Sequence, residues 1–211
     1  MRILQVVHAF PPREWAGTEL VTLHLAQALL ARGHQVTVLT RSGDPGAEEF
    51  SVREEYLDGL EIVRVVNNYS RMTTFRSSYD NPFFDDLLTR LLDQLRPDVV
   101  HFQHLIHLSV RLLSVAAALG YPVVLTLHDF FFACHRVQRI DAHDRLCPGP
   151  ERGERCVPCL HEFATPEEAR HRFTHMERAL HVPDVILTPS IFLAEKIRAY
   201  FPEVEEKIRA V

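Results

Sequence analysis

The sequence predicts an α/β fold, a Rossmann-like doubly wound parallel sheet, with a small four-cysteine metal knuckle inserted. Short apolar runs of strand length alternate with longer segments of helical period, and glycine or proline separates most of them. The 211 residues are 46% hydrophobic and 24% charged, which is the composition of an ordinary globular domain. Such alternation favours a parallel sheet because each return to the sheet passes through a crossover helix.

The start of the chain contains the clearest βαβ pattern. Residues 3–10 form an apolar run closed by two prolines, which predicts a buried strand. From Thr18 onward, leucine and alanine recur at helical spacing until Gly33, a typical helix end. Residues 35–40 then predict the second strand.

The alternation continues almost to the end of the chain. Further strands are predicted at 60–66, from 99 onward, at 122–127 and at 185–188, and helices at 83–95, 109–119, 166–181 and 192–200. The polar residues 42–56 and the aperiodic residues 67–81 are predicted to be loops.

Charge and hydropathy limit the classes of partner. The formal net charge of −5 argues against a nucleic-acid surface, which requires a basic face. The N-terminus lacks a secretory-signal pattern, and no apolar run approaches the roughly 18 residues of a spanning helix. We therefore expect a cytoplasmic protein, and docking at the inner membrane surface is compatible with this.

Four cysteines cluster within one segment and predict a metal site in the insertion 133–162. They are Cys134, Cys147, Cys156 and Cys159, spaced C-x12-C-x8-C-x2-C. The final pair allows both sulfurs to reach one ion, and four thiolates favour a closed structural zinc site without an open position for water. An iron–sulfur cluster, free thiols and disulfides are the alternatives, and a histidine could replace one sulfur (His135, His143 or His161).

Ligands of doubly wound sheets bind beyond the carboxyl ends of the strands. Four segments are predicted at that edge, at residues 10–19, 101–107, 128–129 and 188–190. In the first, Gly17 allows close approach to the backbone, and the amides at the helix start favour an anion. The competing interpretation is a simple turn that Thr18 caps.

A collinear series of motifs resembles family 4 glycosyltransferases. The loop Ala-Gly-Thr-Glu (16–19) precedes an apolar helix, and then follow Arg-Gly-His-Gln-Val-Thr-Val (32–38), Arg-Pro-Asp-Val-Val-His (96–101), Pro-Val-Val-Leu-Thr-Leu-His-Asp (122–129) and Pro-Ser-x-Phe (189–192). The resemblance covers essentially the whole chain. In one departure, Ala16 replaces the first glycine of the family's pair, and its methyl group narrows the room for a donor phosphate or an acceptor.

The resemblance implies that residues 1–211 are the N-terminal, acceptor-side Rossmann-like domain of a GT-B enzyme. Such an enzyme is a retaining transferase, of hexosyltransferase type, that moves a sugar from a nucleotide-diphosphate sugar to a hydroxyl acceptor such as a glycolipid or polysaccharide precursor. A C-terminal donor-binding domain with paired glutamates is expected beyond Val211. The isolated domain is therefore expected to be inactive.

The resemblance also suggests roles for individual residues. His128, at the end of the most apolar strand, is the catalytic candidate because it can donate a hydrogen bond to a sugar hydroxyl or a leaving phosphate. The substrate-binding candidates are Ala16, Gly17, Glu19, His101, His104, Asp129 and Ser190. The alternatives are a histidine satisfied at a strand end for His128 and a solvated first-turn acid for Glu19.

Two further expectations concern the insertion and the histidines. The insertion leaves the ligand edge of the sheet, so we expect it to wall the acceptor cleft, with three arginines available for anionic acceptors (Arg136, Arg139 and Arg145). The string of His101, His104 and His107 is disfavoured as a metal site, because a strand-to-loop path scatters its side chains. A different class remains open for the whole chain, a non-catalytic binding module that uses the zinc knuckle as a docking surface.

Overall fold

The structure is a computed structural model that describes residues 1–211. The chain divides into two compact units, which we call unit 1 (Met1–Leu125) and unit 2 (Thr126–Val211).

Unit 1 is an α/β unit built on six strands. Its elements are β1 (Arg2–Val6), α1 (Gly17–Ala31), β2 (Gln35–Ser42), β3 (Val52–Leu57), β4 (Leu60–Val66), a 3-10 turn (Arg76–Ser78), α2 (Phe83–Leu95), β5 (Val99–Phe102), α3 (Arg111–Ala118) and β6 (Val123–Thr126). The strands lie in the order β3-β4-β2-β1-β5-β6. All neighbours are parallel except the antiparallel pair β3–β4. The strand order therefore reverses direction between β1 and β5, which is a topological switch point.

One face of α1 packs on the sheet of unit 1. Glu19, Leu23 and Ala26 are buried at the spacing of a single helix face. They belong to or border a core whose members are Ile3, Val7, Phe10, Leu23, Ala26, Val36, Val38, Leu60 and Ile62. Because Glu19 shares the apolar face of α1, the fold carries its carboxylate into the interior, and the residue is only 3% exposed.

Unit 2 combines α-helices with a short parallel pair of strands. Its elements are a 3-10 segment (Glu151–Cys156), α4 (Val157–Leu160), α5 (Pro166–Leu180), β7 (Val185–Thr188), α6 (Ile191–Tyr200), a second 3-10 segment (Pro202–Lys207) and β8 (Ile208–Ala210). The start of α5 follows from its sequence, since Thr165 and Glu168 form a capping box around Pro166. Strand β7 pairs with β8 in parallel, with Ile186 opposite Ile208.

The prediction of a loop at residues 42–56 was wrong, because β3 lies within it. Strand β3 pairs with β4 through a tight turn at Asp58 and Gly59, both with positive φ. An Asp-Gly pair is a strong hairpin signal. The exposed charges of this edge strand resemble a polar loop, so only the pairing with β4 reveals it. The sheet of unit 1 is consequently mixed rather than purely parallel, and the first strand ends at Val6, before the Pro11–Pro12 turn.

Candidate active site

Two histidines meet at the switch point of unit 1. His8 follows the end of β1, and His104 follows the end of β5. Their ring centroids lie 4.6 Å apart. Because the crevice at a switch point is where open α/β sheets bind ligands, this pair marks the candidate site. His8 was not predicted as a site residue, because the predicted first strand at 3–10 included it, whereas β1 ends at Val6.

Glu19 completes what we call the switch-point cluster (His8, Glu19 and His104). Its Oε1 lies 3.2 Å from His8 Nε2, whereas its Oε2 is buried without a hydrogen-bond partner. The interpretation of Glu19 as a solvated acid is therefore wrong, because the apolar face of α1 buries it. A buried carboxylate beside a histidine can accept a proton or a hydrogen bond from a bound hydroxyl group.

The tautomer of His104 follows from its backbone contact. Its Nδ1 accepts the amide hydrogen of Ile106 at 3.1 Å. In the neutral ring the proton therefore resides on Nε2. Together with Glu19, His104 gives the cluster both a hydrogen-bond donor and an acceptor, which is what recognition of a sugar hydroxyl requires.

The start of α1 lies beside this cluster in the sequence and is open. Ala16 is the N-cap residue, and its side chain makes no capping hydrogen bond. The prediction of Thr18 as the cap was wrong, because Thr18 lies inside the first turn, where its carbonyl accepts the hydroxyl of Thr22 at 2.7 Å. A Cβ atom added to Gly17 would meet nothing within 4 Å. The first-turn amides therefore have no side-chain acceptor, and the space beside Gly17 is free.

A buried arginine holds the loop that leads to α1. Arg64 on β4 is 1% exposed, and its Nη atoms donate to the carbonyl oxygens of Phe10 at 3.3 Å and Pro11 at 3.1 Å. Its Nε donates to Glu55 Oε2 at 2.9 Å. These contacts fix the backbone between β1 and α1, so the loop is positioned by the sheet rather than by its own sequence.

The three histidines of the 101–107 string contact different neighbours. His101 lies inside β5, His104 packs on His8, and the ring of His107 lies 5.1 Å from that of Tyr69. Burial, followed by the charge of Arg41, lowers the pKa of His107 to about 4. His104 and His107 therefore pack against different ring neighbours.

The remaining candidates from the sequence lie in unit 2. His128 and Asp129 are half-buried and follow β6, and Asp129 Oδ1 accepts the amide hydrogen of Phe131 at 2.8 Å. Ser190 is the N-cap of α6, where its Oγ accepts the amide of Leu193 at 3.2 Å. The hydroxyl hydrogen of Ser190 is not used in that contact and can still be donated. Convergence of these residues with Gly17 and His101 stays a prediction.

All four cysteines line one cavity of unit 2, of about 20 Å³. A cavity of this size has room for about one water-sized sphere. The backbone amides of Arg136 and Arg139 lower the pKa of Cys134, against the larger effect of burial, which raises it. No group of three or more histidine, cysteine, aspartate or glutamate side chains stands at metal-ligand spacing, so the predicted metal knuckle is not shown. Of the three histidines considered as replacement ligands, only His135 lines the cavity.

The electrostatic environment of the thiols has opposing contributions. Burial raises the pKa of Cys156 to about 11, and the neighbouring cysteines raise it further, whereas the charge of Arg172 lowers it. Burial likewise raises the pKa of Cys134. Without a cation the thiols of Cys134 and Cys156 are therefore neutral near pH 7, and a divalent cation would favour their thiolates.

Two arginines of the insertion serve its internal structure. Arg139 is buried, its Nη2 donates to the carbonyl of Cys147 at 2.7 Å, and its guanidinium lies over the rings of Phe130 and Tyr200. Arg145 pairs with Asp141 at 3.2 Å. The expectation that Arg139 is available for an anionic acceptor is therefore wrong, since it is buried and has partners, whereas for the exposed Arg136 and Arg145 the expectation stays a prediction.

The family of the chain is shown by its sequence. Residues 15–211 match the profile described as Glycosyltransferase Family 4, and the chain belongs to this family. No curated protein sequence matches the chain. No helix of the structure combines the length and the apolar character that crossing a membrane requires.

Solved structures with the same fold are GT-B proteins. Sucrose-phosphate synthase from Thermosynechococcus elongatus has a TM-score of 0.61 at 15% identity, covering 100% of this chain and 47% of that one. The catalytic domain of starch synthase IV from Arabidopsis thaliana, bound to ADP and acarbose, has a TM-score of 0.57 at 14% identity, covering 99% and 50%. A trehalose-6-phosphate protein from E. coli, bound with UDP-2-fluoro glucose, has a TM-score of 0.52 at 14% identity, covering 97% and 42%. The chain spans about half the length of these proteins.

Proposed function

We propose that this chain is the acceptor-side, N-terminal domain of a retaining glycosyltransferase of hexosyltransferase type. The enzyme moves a sugar from a nucleotide-diphosphate sugar to a hydroxyl group of a glycolipid or polysaccharide precursor. The observation that carries the proposal is the family match over residues 15–211. The nucleotide and UDP-sugar analogue bound to two proteins of the same fold support a nucleotide-sugar donor.

The switch-point cluster receives the acceptor in this proposal. The unpartnered Oε2 of Glu19 accepts a hydrogen bond from an acceptor hydroxyl, while His104 donates one. A buried oxygen without a partner is costly, so a ligand hydroxyl that satisfies it gains the full value of the bond. Ala16 and Gly17 lie at the start of α1, and His101 lies on β5. These three residues are proposed as further contacts of the substrate.

His128 is the proposed catalytic residue, with Asp129 and Ser190 as further substrate contacts. Its place directly after a buried strand, at the edge where ligands bind, supports the assignment. An imidazole there would donate a hydrogen bond to the transferred sugar or to the leaving phosphate. Asp129 already orders the following turn, which fixes the backbone next to His128.

A second domain completes the enzyme in this proposal, and residues 1–211 form one domain with an insertion at 133–162. The match to about half the length of the structural neighbours supports a C-terminal donor-binding domain, so the isolated chain lacks turnover. We place the enzyme in the cytoplasm with contact at the inner membrane surface, for which the exposed Ile191 and Phe192 supply adjacent apolar side chains.

A structural zinc ion held by Cys134, Cys147, Cys156 and Cys159 is also part of the proposal. The shared cavity supports it, because all four cysteines line the same small space. Four sulfur ligands close the coordination sphere, so the ion would stabilise the fold and take no part in sugar transfer.

The test is sugar transfer by the protein that contains this chain together with its C-terminal domain. Release of nucleoside diphosphate is measured with UDP-, ADP- and GDP-hexoses and a mixture of glycan acceptors. We expect release with one donor class by the two-domain protein and none by the isolated chain. If the folded two-domain protein neither binds nor turns over any nucleotide sugar, the proposal is overturned in favour of a non-catalytic binding module.

A further inference from the structure

Arg41 is a buried cation without a counter-charge. It lies near the end of β2 and is 9% exposed. Its side chain forms no hydrogen bond and no ion pair. Its Nε is buried without a partner. Burying a guanidinium without an acceptor is costly, so a position like this one calls for a ligand that supplies the negative charge.

The acidic groups of the same rim do not pair with Arg41. Glu55 accepts hydrogen bonds from Arg64 at 2.9 Å and from Arg13 at 2.8 Å. Glu14 lies 3.9 Å from Arg64, and its Oε2 is buried without a hydrogen-bond partner. Arg41, near the carboxyl end of β2, is therefore left without an ion pair.

Two neutral hydrogen-bond donors surround Arg41. Its Cζ lies 5.3 Å from the centre of the Tyr69 ring, against which the His107 ring packs edge-on. Burial raises the pKa of Tyr69, which keeps the phenol protonated, and burial lowers the pKa of His107 to about 4, which keeps the imidazole neutral. Near neutral pH these three side chains carry one positive charge and O–H and N–H donors, and the charge of Glu14 also lies close enough to raise the pKa of Tyr69.

A buried asparagine assembles the group. The Oδ1 of Asn67 accepts the amide hydrogen of Tyr69 at 3.0 Å, and its Nδ2 donates to the carbonyl of His107 at 2.8 Å. Asn67 is fully buried, and both residues that it holds have left-handed backbones, with φ of 64° and 61°. Such conformations are unfavourable for non-glycine residues and persist where the surroundings enforce them, often at binding sites.

We propose that Arg41, Tyr69 and His107 form a subsite for a phosphate group carried by the acceptor. The guanidinium supplies the charge and its terminal N–H groups, and the phenol and the imidazole supply two further donors, which suits the several oxygens of a phosphate ester. The inference rests on the proposed function, in which this domain binds the acceptor. The donor diphosphate is the other source of the same chemistry, and the test separates the two.

The experiment titrates the 211-residue chain with inorganic phosphate, a hexose 6-phosphate and UDP, following the imidazole resonances of His107 by NMR. Arg41→Gln is expected to weaken binding of phosphate and of hexose phosphate by about tenfold or more, because the guanidinium charge of the subsite is lost. The matched control Arg90→Gln removes an equal charge from an exposed position of α2 and should leave both affinities unchanged. Arg41→Lys, which keeps the charge without the planar fork, should give an intermediate loss.

The titrations can overturn the subsite, its assignment to the acceptor, or the proposed function. Equal phosphate affinities for Arg41→Gln and Arg90→Gln would overturn the subsite. Dependence on Arg41 for UDP but not for hexose phosphate would overturn its assignment to the acceptor. If Arg41→Gln does not fold, the variant Tyr69→Phe tests the subsite instead. Loss of the phenol donor is expected to weaken phosphate binding by about threefold. Unchanged phosphate binding would overturn the subsite. Phosphate binding without any sugar transfer by the two-domain protein would overturn the proposed function and leave the subsite standing.

Discussion

The switch-point cluster of unit 1 and the cysteine segment of unit 2 (residues 134–159) differ in what holds their functional groups in place. In unit 1 the groups extend from strand ends, and buried protein partners such as Arg64 and Asn67 fix the intervening loops. The cysteine segment has little regular structure, with an isolated bridge between Ile140 and Leu146 and the short helix α4. Its organisation depends on side chains that pack around the cavity.

The two regions differ in whether contacts within the protein alone hold the functional groups in place. The loop before α1 is held by hydrogen bonds to a sheet residue. The four thiols share a cavity but do not stand at metal-ligand spacing, and in the proposed function a zinc ion would draw the sulfurs together. We therefore expect the two regions to respond differently to the same treatments.

The largest expected effect is that of zinc removal. Chelation, or the substitution Cys156→Ser, should release the cysteine segment, because structural zinc contributes up to about 10 to 16 kcal/mol in small zinc-binding peptides. Hydrogen exchange should rise in residues 134–159 and stay constant in β1 and β2. Elemental analysis of reduced, chelator-free protein should give one zinc per chain. A zinc content near zero, together with hydrogen exchange that chelation leaves unchanged, would contradict the proposal of a structural zinc ion.

A smaller effect on stability is expected when the contacts of Arg64, which hold the loop before α1 in unit 1, are weakened. Glu55→Gln leaves the buried Arg64 without its closest charged partner, which should cost about 2 kcal/mol, less than for a fully buried pair because Glu55 is partly exposed and Glu14 remains 3.9 Å away. The matched control Glu54→Gln, on the exposed side of β3, should be neutral. Urea unfolding followed through Trp15, the single tryptophan and a member of this loop, measures the difference. Equal midpoints for the two variants would show that Arg64 does not hold the loop through Glu55.

The smallest expected effect is a pH dependence in unit 1. The pKa of His107 in the folded protein is about 4, below its unfolded value of about 6.5, so the unfolded state binds the proton first. The stability contributed by the neutral ring is therefore present above pH 6.5 and is lost as the pH falls toward 4. His107→Gln should reduce this loss by about 1 kcal/mol, allowing for partial solvent exposure. The exposed His24→Gln should retain the full loss, and parallel pH profiles for all three proteins would contradict the burial of His107.

The alternation of the sequence predicted most of the fold, and its failures have clear physical causes. Strand β4, helix α2 and strand β7 begin and end where their patterns predict. Strand β3 was missed because an edge strand with charged residues is stabilised by its neighbour, not by a local pattern. The short β8 was missed for a similar reason, since three residues carry too little periodicity.

The candidate site could be predicted only where the groups follow directly from strand ends. Glu19 and His104 were predicted as substrate-binding candidates because they stand in segments that follow β1 and β5 at the carboxyl edge of the sheet. Asn67 and Arg41 were not, because they become neighbours of Tyr69 and His107 only through strand order and left-handed backbone. No local sequence pattern predicts that these side chains become neighbours. The spacing of the cysteines predicted a common cavity but not the packing of Arg139 and Arg172 around it.

Turnover of a nucleotide sugar by the two-domain protein, compared with its His128→Ala variant, tests the central claim most directly. The account predicts that kcat falls by about a hundredfold or more when the imidazole is removed, since a positioned proton donor contributes at least that much. His181→Ala, an exposed histidine of the same unit, should retain full activity. Unchanged turnover in His128→Ala would contradict the account.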